Sequence, residues 1–298
     1  MHGQHGEGRG LLRRGRDVTV GGDPSAQARV RRERQGPAGV PGVYLLAPSG
    51  ARRLGPVCAE RSLVSGDGRG LESLQGKAGD GDRPVIDSVV FDLDGTLWDS
   101  SATCAVGWNR VLHRHDIPFR PITEHDVRLV TGKPHEQCIR EIFAGLPEAH
   151  ILTLVAETQL EDNKLVAELG GEMYPGVEAG VRRLAARHPL FIVSNCQAGY
   201  IEAFHQWSGL GPCFRDFECW GHTGLTKGAN LRTLIERNGL CRPLLVGDTP
   251  GDQAAARECR VPFLYVDYGF GVCDNVDRPF SSFAALTNWL LNHAPPTP

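Results

Sequence analysis

The chain contains no apolar run approaching the roughly 18 consecutive residues of a membrane-spanning helix, so nothing in it calls for a transmembrane segment. It also lacks an excess of positive charge. With 32 Lys and Arg against 35 Asp and Glu the net charge is −3, which offers no electrostatic reason to expect nucleic acid as a partner. Its nine cysteines are an odd number and include no CxxC pair. A disulfide scaffold or zinc site would want closely spaced pairs, so free thiols packed as small hydrophobes in a reducing, cytoplasmic compartment are expected. What remains is an ordinary globular composition, 41% hydrophobic and 22% charged over 298 residues, long enough for one large domain or two modest ones.

Composition changes near residue 84. The first 83 residues hold 18 of the 37 glycines and carry a net +5, leaving −8 for the remainder. Stretches such as RRERQGPAGV and SGDGRGLESLQGKAGDGDR follow neither the helical nor the strand period. Residues 1–83 are therefore expected to be a disordered Gly/Arg-rich leader. Three accounts fit it: a basic targeting or binding arm, a plain flexible tail, or an over-extended translation start with the working protein beginning near Val85.

From residue 84 the pattern is regular. Short apolar runs at 85–91, 190–194, 244–247 and 262–266 are separated by helix-period segments such as 176–188, 228–240 and 252–260. Strands alternating with helices predict a doubly wound, Rossmann-like parallel sheet over 84–99 and 173–298. Residues 100–172 show helical periodicity and no strand pattern, and predict an inserted all-helical subdomain.

The first apolar run ends in FDLDGTLWDS, which places Asp92 and Asp94 two residues apart, just before Gly95 and Thr96. Ligands of open parallel sheets bind at the carboxyl ends of the strands. Two adjacent carboxylates repel unless a cation bridges them or one is protonated, so a metal and further acids are expected nearby. The run LLVGDTPGDQAA supplies Asp248 directly after a strand and Asp252 one helical turn later. Oxygen donors without neighbouring His or Cys suit Mg²⁺. FIVSN ends in Ser194 and Asn195, donors for phosphate oxygens, and Lys227 stands on a loop just before a helix, where it could neutralise an anion. Taken singly, the acids also read as turn residues or helix caps. Asp92 and Asp94 are expected to project differently because they alternate along an extended chain.

These four elements, DLDGT, the strand-end Ser, the Lys and GDTxxD, occur in that order. Together they resemble the haloacid dehalogenase superfamily of phosphohydrolases, and the helical insertion resembles the cap of its phosphoglycolate phosphatase and β-phosphoglucomutase branch. The resemblance implies that Asp92 is the nucleophile forming an aspartyl-phosphate and Asp94 the general acid and base. It implies that Ser194, Asn195 and Lys227 bind phosphate. Mg²⁺ would be held by Asp92, the Asp94 carbonyl and Asp248, with Asp252 and Thr96 in supporting positions. It further implies a phosphatase acting on a small phosphate monoester, phosphoglycolate-like or a sugar phosphate. The alternatives are a phosphomutase and a binding protein that keeps the fold without turnover. An acid at Asp94 favours ester chemistry, because carbon–halogen and carbon–phosphorus cleavage leave no alkoxide to protonate.

Substrate choice would fall to the cap. In the loop LVTGKPHEQC, Lys133 and His135 could meet an anionic or polar leaving group, or could sit on a solvated interhelical turn. His135 stands about where the mutase pattern carries an arginine, which weighs against a mutase. Trp98 replaces a smaller aliphatic residue and either lines the cleft or packs the hinge.

Overall fold

The computed structural model describes residues 86–293. The leader over 1–83 and the start proposed near Val85 lie outside the described residues. Within them the chain runs β1 (Ser88–Phe91), β2 (Trp98–Asp99), α1 (Ser101–Arg114), α2 (Glu124–Val130), α3 (His135–Ile142), α4 (Glu148–Leu169), β3 (Glu172–Met173) and α5 (Val177–Ala185). It continues through β4 (Leu190–Ser194), α6 (Tyr200–Ser208), β5 (Phe214–Cys219), α7 (Trp220–Thr223), α8 (Lys227–Asn238) and β6 (Pro243–Gly247). The described chain closes with α9 (Pro250–Cys259), β7 (Phe263–Val266), β8 (Pro279–Phe280) and α10 (Phe283–His293).

Six strands form one parallel sheet in the order β5-β4-β1-β6-β7-β8. The central strand is β1, flanked by β4 and β6, and the sequence explains why. Val89 and Phe91 face one apolar cluster with Ile192 and Val246, while Val90 faces the other with Val193 and Leu245 under α8 and α9. A strand covered on both faces reads as a continuous apolar run rather than an alternating one. The edge strand β5, FRDFEC, has no such run and was not anticipated. The same holds for β8, two residues long.

Helices α1 to α4 form the inserted cap. No strand was expected near it, yet Trp98 and Asp99 of β2 pair antiparallel with Met173 and Glu172 of β3. This short ribbon brings the entering and leaving chains side by side at the cap hinge. Free thiols occur among the described residues at Cys104, Cys138, Cys196, Cys213, Cys219, Cys259 and Cys273, six of them buried, with Cys104 and Cys138 in the cap.

Candidate active site

Three elements bring carboxylates together at the carboxyl end of the sheet. Asp92 follows β1 directly, Asp248 follows β6 directly, and Asp252 is the third residue of α9. Carboxylate oxygens of the three lie within 4.8 Å of one another, and all three residues are buried. Lys227, the first residue of α8 rather than a loop residue, reaches between them. Its ammonium donates to Asp92 Oδ1 at 2.8 Å and to Asp252 Oδ1 at 2.6 Å. Burial opposes its charge, but the carboxylates of Asp252 and Asp92 outweigh burial and hold its pKa above the ordinary lysine value.

The acids carry the reciprocal strain. Burial, reinforced by Asp252, lifts Asp92 well above the usual carboxylate range, and the same two causes bring Asp248 up to about 7. Three desolvated carboxylates against one ammonium leave negative charge uncompensated, and every donor is a hard oxygen. The set fits a divalent cation such as Mg²⁺. Asp252 is the member with the fewest free lone pairs. Its Oδ2 accepts from the Thr249 backbone N–H and hydroxyl in a capping box at the start of α9, and its Oδ1 from Lys227. Cap and charge partner are thus one residue, which joins the two readings the sequence left open.

Thr96 donates to Asp248 Oδ1 at 3.0 Å, and the Phe270 N–H donates to Oδ2 at 2.7 Å. Gly95 permits this approach. A Cβ there would lie 2.2 Å from Asp248 Oδ2, and its φ of +85° lies in the left-handed region that favours glycine.

Asp94 faces elsewhere, though not for the reason expected. Alternate residues of a strand share a face, so alternation would have placed Asp92 and Asp94 together. The strand ends at Phe91, and the turn through Gly95 redirects the chain. The Asp94 carboxylate leaves the acidic cluster and accepts from Tyr200 OH at 2.9 Å and Ser100 Oγ at 3.2 Å. Burial pushes its pKa up to about 6, against those two hydrogen bonds.

Ser194 ends β4 beside β1. Its Oγ accepts from the Cys196 N–H at 3.2 Å, and its own hydroxyl hydrogen has no acceptor among the described residues. Asn195 lines the same cavity, and one of its two amide N–H groups is engaged. Its side-chain amide donates to the Gly132 carbonyl at 2.7 Å, tying the core to the cap loop. Asp92, Asp94, Ser194 and Asn195 line one cavity with Lys133 and His135 of the cap.

Residues 89–266 match the family described as haloacid dehalogenase-like hydrolase. The chain belongs to that family. Among its curated relatives, phosphoglycolate phosphatase of Synechococcus elongatus is 31% identical over 209 residues, 69% of this chain and 92% of that protein. The Rhodospirillum rubrum phosphoglycolate phosphatase is 30% identical over 220 residues, covering 68% and 90%. Solved structures share the fold. A haloacid dehalogenase-like hydrolase from Streptococcus pneumoniae superposes with a TM-score of 0.60 at 19% identity, covering 69% of this chain and 98% of that one. CbbY from Rhodobacter sphaeroides, solved in complex with phosphate, gives 0.54 at 21% identity, covering 68% and 96%. The protein is a phosphatase of the haloacid dehalogenase-like family, and no helix among its described residues is long and apolar enough to cross a membrane.

In this phosphatase the cap residues divide. Trp98 is fully buried and packs on Tyr200, Phe204 and Trp207, with the Phe204 ring 4.9 Å away. It packs the hinge and does not line the cavity. Lys133 lines the cavity, but its ammonium is paired with Glu141 at 2.6 Å. His135 is buried, and its Nε2 lies 2.8 Å from Thr158 Oγ1. The Thr158 hydroxyl donates to the Leu154 carbonyl at 2.6 Å, so it must accept from His135 Nε2–H, leaving Nδ1 a bare acceptor.

Burial takes the His135 pKa down to about 4. Between that value and the ordinary 6.5 the unfolded chain binds a proton that the folded chain refuses, so stability falls as pH falls. Moving from pH 7 to pH 4 is expected to cost about 3 kcal/mol through this residue alone. Denaturant unfolding of wild type and His135→Gln at the two pH values measures it. Identical pH slopes for both proteins would remove His135 from the account.

Sequence reasoning missed Tyr200, Ser100 and Asp162. Tyr200 and Ser100 hold Asp94 from 106 and 6 residues away, and neither spacing carries a periodic signal. Asp162 did leave one. The buried stripe of α4 runs through Ile151, Leu154, Thr158, Asp162 and Leu165, so this acid falls on a face otherwise meant for the interior.

Proposed function

We propose that the enzyme hydrolyses a small phosphate monoester through an aspartyl-phosphate on Asp92, with Mg²⁺ as its metal. One observation carries the reading. A buried carboxylate at the end of the central strand is held by a lysine, lies among further acids, and opens on the same cavity as a strand-end serine and a second, separately held acid.

Asp92 would attack phosphorus, its approach fixed by Lys227. Asp94, poised near pH 6 and oriented by Tyr200 and Ser100, would protonate the departing oxygen and then take a proton from the attacking water. Ser194 and Lys227 would hold the transferring phosphoryl oxygens. Asp92, Asp248 and the Asp94 carbonyl would hold Mg²⁺, and Asp252 would position Lys227. Bound there, the ion supplies charge stabilisation for the transferring phosphoryl group. The relatives' names support a small leaving group without choosing it.

Phosphate release from p-nitrophenyl phosphate tests the reading. Turnover is expected with millimolar Mg²⁺, and chelation by EDTA is expected to lower it at least 100-fold, reversibly. Undiminished rates in excess EDTA would defeat the metal assignment, and no turnover on any of a panel of phosphate monoesters would defeat the enzymatic one.

A further inference from the structure

The cap side of the cavity holds a pair of polar groups that the phosphoryl chemistry does not use. Asp162 on α4 lines the cavity and is 2% exposed. Its Oδ2 accepts from Trp108 Nε1 at 3.0 Å, whereas its Oδ1 has no hydrogen-bond partner among the described residues. A buried carboxyl oxygen without a partner is costly, and such groups are rare in folded proteins. His135 lies alongside, its Nδ1 3.9 Å from Asp162 Oδ2. That separation is too long for a hydrogen bond between them. With Nε2–H engaged by Thr158, Nδ1 is a second polar atom at the same place, and its nearest carboxylate is the Asp162 oxygen 3.9 Å away.

Charge narrows what this pair can take. Among the described residues Lys133 is the only Lys or Arg lining the cavity, and it is already paired with Glu141. His135 is held neutral by burial. Burial pushes the Asp162 carboxyl up to about 8, so at neutral pH it is the uncharged acid and can offer an O–H as well as accept. A carboxylate placed here would be buried with no free cation to offset its desolvation. A hydroxyl pays no such penalty. It can donate to His135 Nδ1, and a neighbouring hydroxyl can meet Asp162 Oδ1.

We infer that Asp162 and His135 form the subsite for the leaving alcohol, and that it selects an uncharged, hydroxyl-bearing alcohol over one carrying a carboxylate. This rests on the phosphate-ester reading above. It gives Asp162 Oδ1 and His135 Nδ1 hydrogen-bonding partners, and it makes the sugar or polyol phosphates the substrate class.

The test compares kcat/KM of the full chain with Mg²⁺ on glycerol 1-phosphate, a hexose 6-phosphate, phosphoglycolate and p-nitrophenyl phosphate. The better of the two uncharged esters is expected to exceed phosphoglycolate at least tenfold, roughly the worth of one well-made hydrogen bond. Asp162→Leu is expected to raise KM for that ester at least tenfold more than it affects p-nitrophenyl phosphate, which offers no hydroxyl. Asp162→Asn keeps an acceptor for Trp108 and a donor on the other atom, and is expected to restore KM to within about threefold of wild type. Phosphoglycolate turned over as well as or better than the uncharged esters overturns the inference while leaving the phosphatase reading intact. So does an equal loss on all esters in Asp162→Leu, or no recovery in Asp162→Asn. Failure of the wild type to release phosphate even from p-nitrophenyl phosphate overturns both.

Discussion

Asp92→Asn is expected to lower kcat about 10⁴-fold or more while leaving the protein folded. An amide oxygen is a poor nucleophile towards phosphorus, so the covalent route closes. The same amide oxygen can still accept the Lys227 hydrogen bond that Asp92 Oδ1 accepts at 2.8 Å. The substitution also removes one of three buried carboxylates crowded within 4.8 Å, a site where burial and Asp252 already disfavour the charge on Asp92. Thermal stability should therefore hold or rise slightly. Single-turnover phosphate release and a circular-dichroism melt, run side by side, measure the two effects. Activity within tenfold of wild type sinks the nucleophile assignment. A fall in Tm of more than about 10 °C would instead make Asp92 a structural residue first.

Lys227→Met should act in the opposite sense. It deletes the one ammonium that neutralises Asp92 and Asp252, both of which have side chains no more than 3% exposed. Methionine has a similar reach and fills the space, so the loss is mainly electrostatic. Removing one partner of a buried pair costs roughly 3–5 kcal/mol because the remaining charges stay buried without compensation. For a domain of this size that is a fall in Tm of about 10 °C in metal-free buffer. Millimolar Mg²⁺ is expected to recover part of the loss, since a cation in the acidic cluster supplies the missing positive charge. Stability within about 1 kcal/mol of wild type in EDTA would show that the ammonium does not compensate these acids.

Sequence and tertiary structure contributed at different ranges. The strand ends were legible because a strand buried on both faces leaves an apolar run, and an acid or serine just beyond it stands out. That logic located β1, β4, β6 and β7, and with them the positions of Asp92, Ser194 and Asp248. It failed for β5, whose FRDFEC carries charges at a sheet edge, and for the two-residue strands, which are too short for any period to register.

By itself, the sequence determined the fold class, the helical insertion and the family, because each depends on local patterning or on motifs in fixed order. Only the tertiary structure decided how side chains are spent. It turned Asn195 towards the Gly132 carbonyl, gave Trp98 to the hinge core, and set Lys227 between Asp92 and Asp252. It also brought Asp162 to within 3.9 Å of His135 from 27 positions along the chain. Hydrogen bonds and charge pairs are satisfied across elements by whichever groups packing delivers, and no spacing in one dimension records that choice.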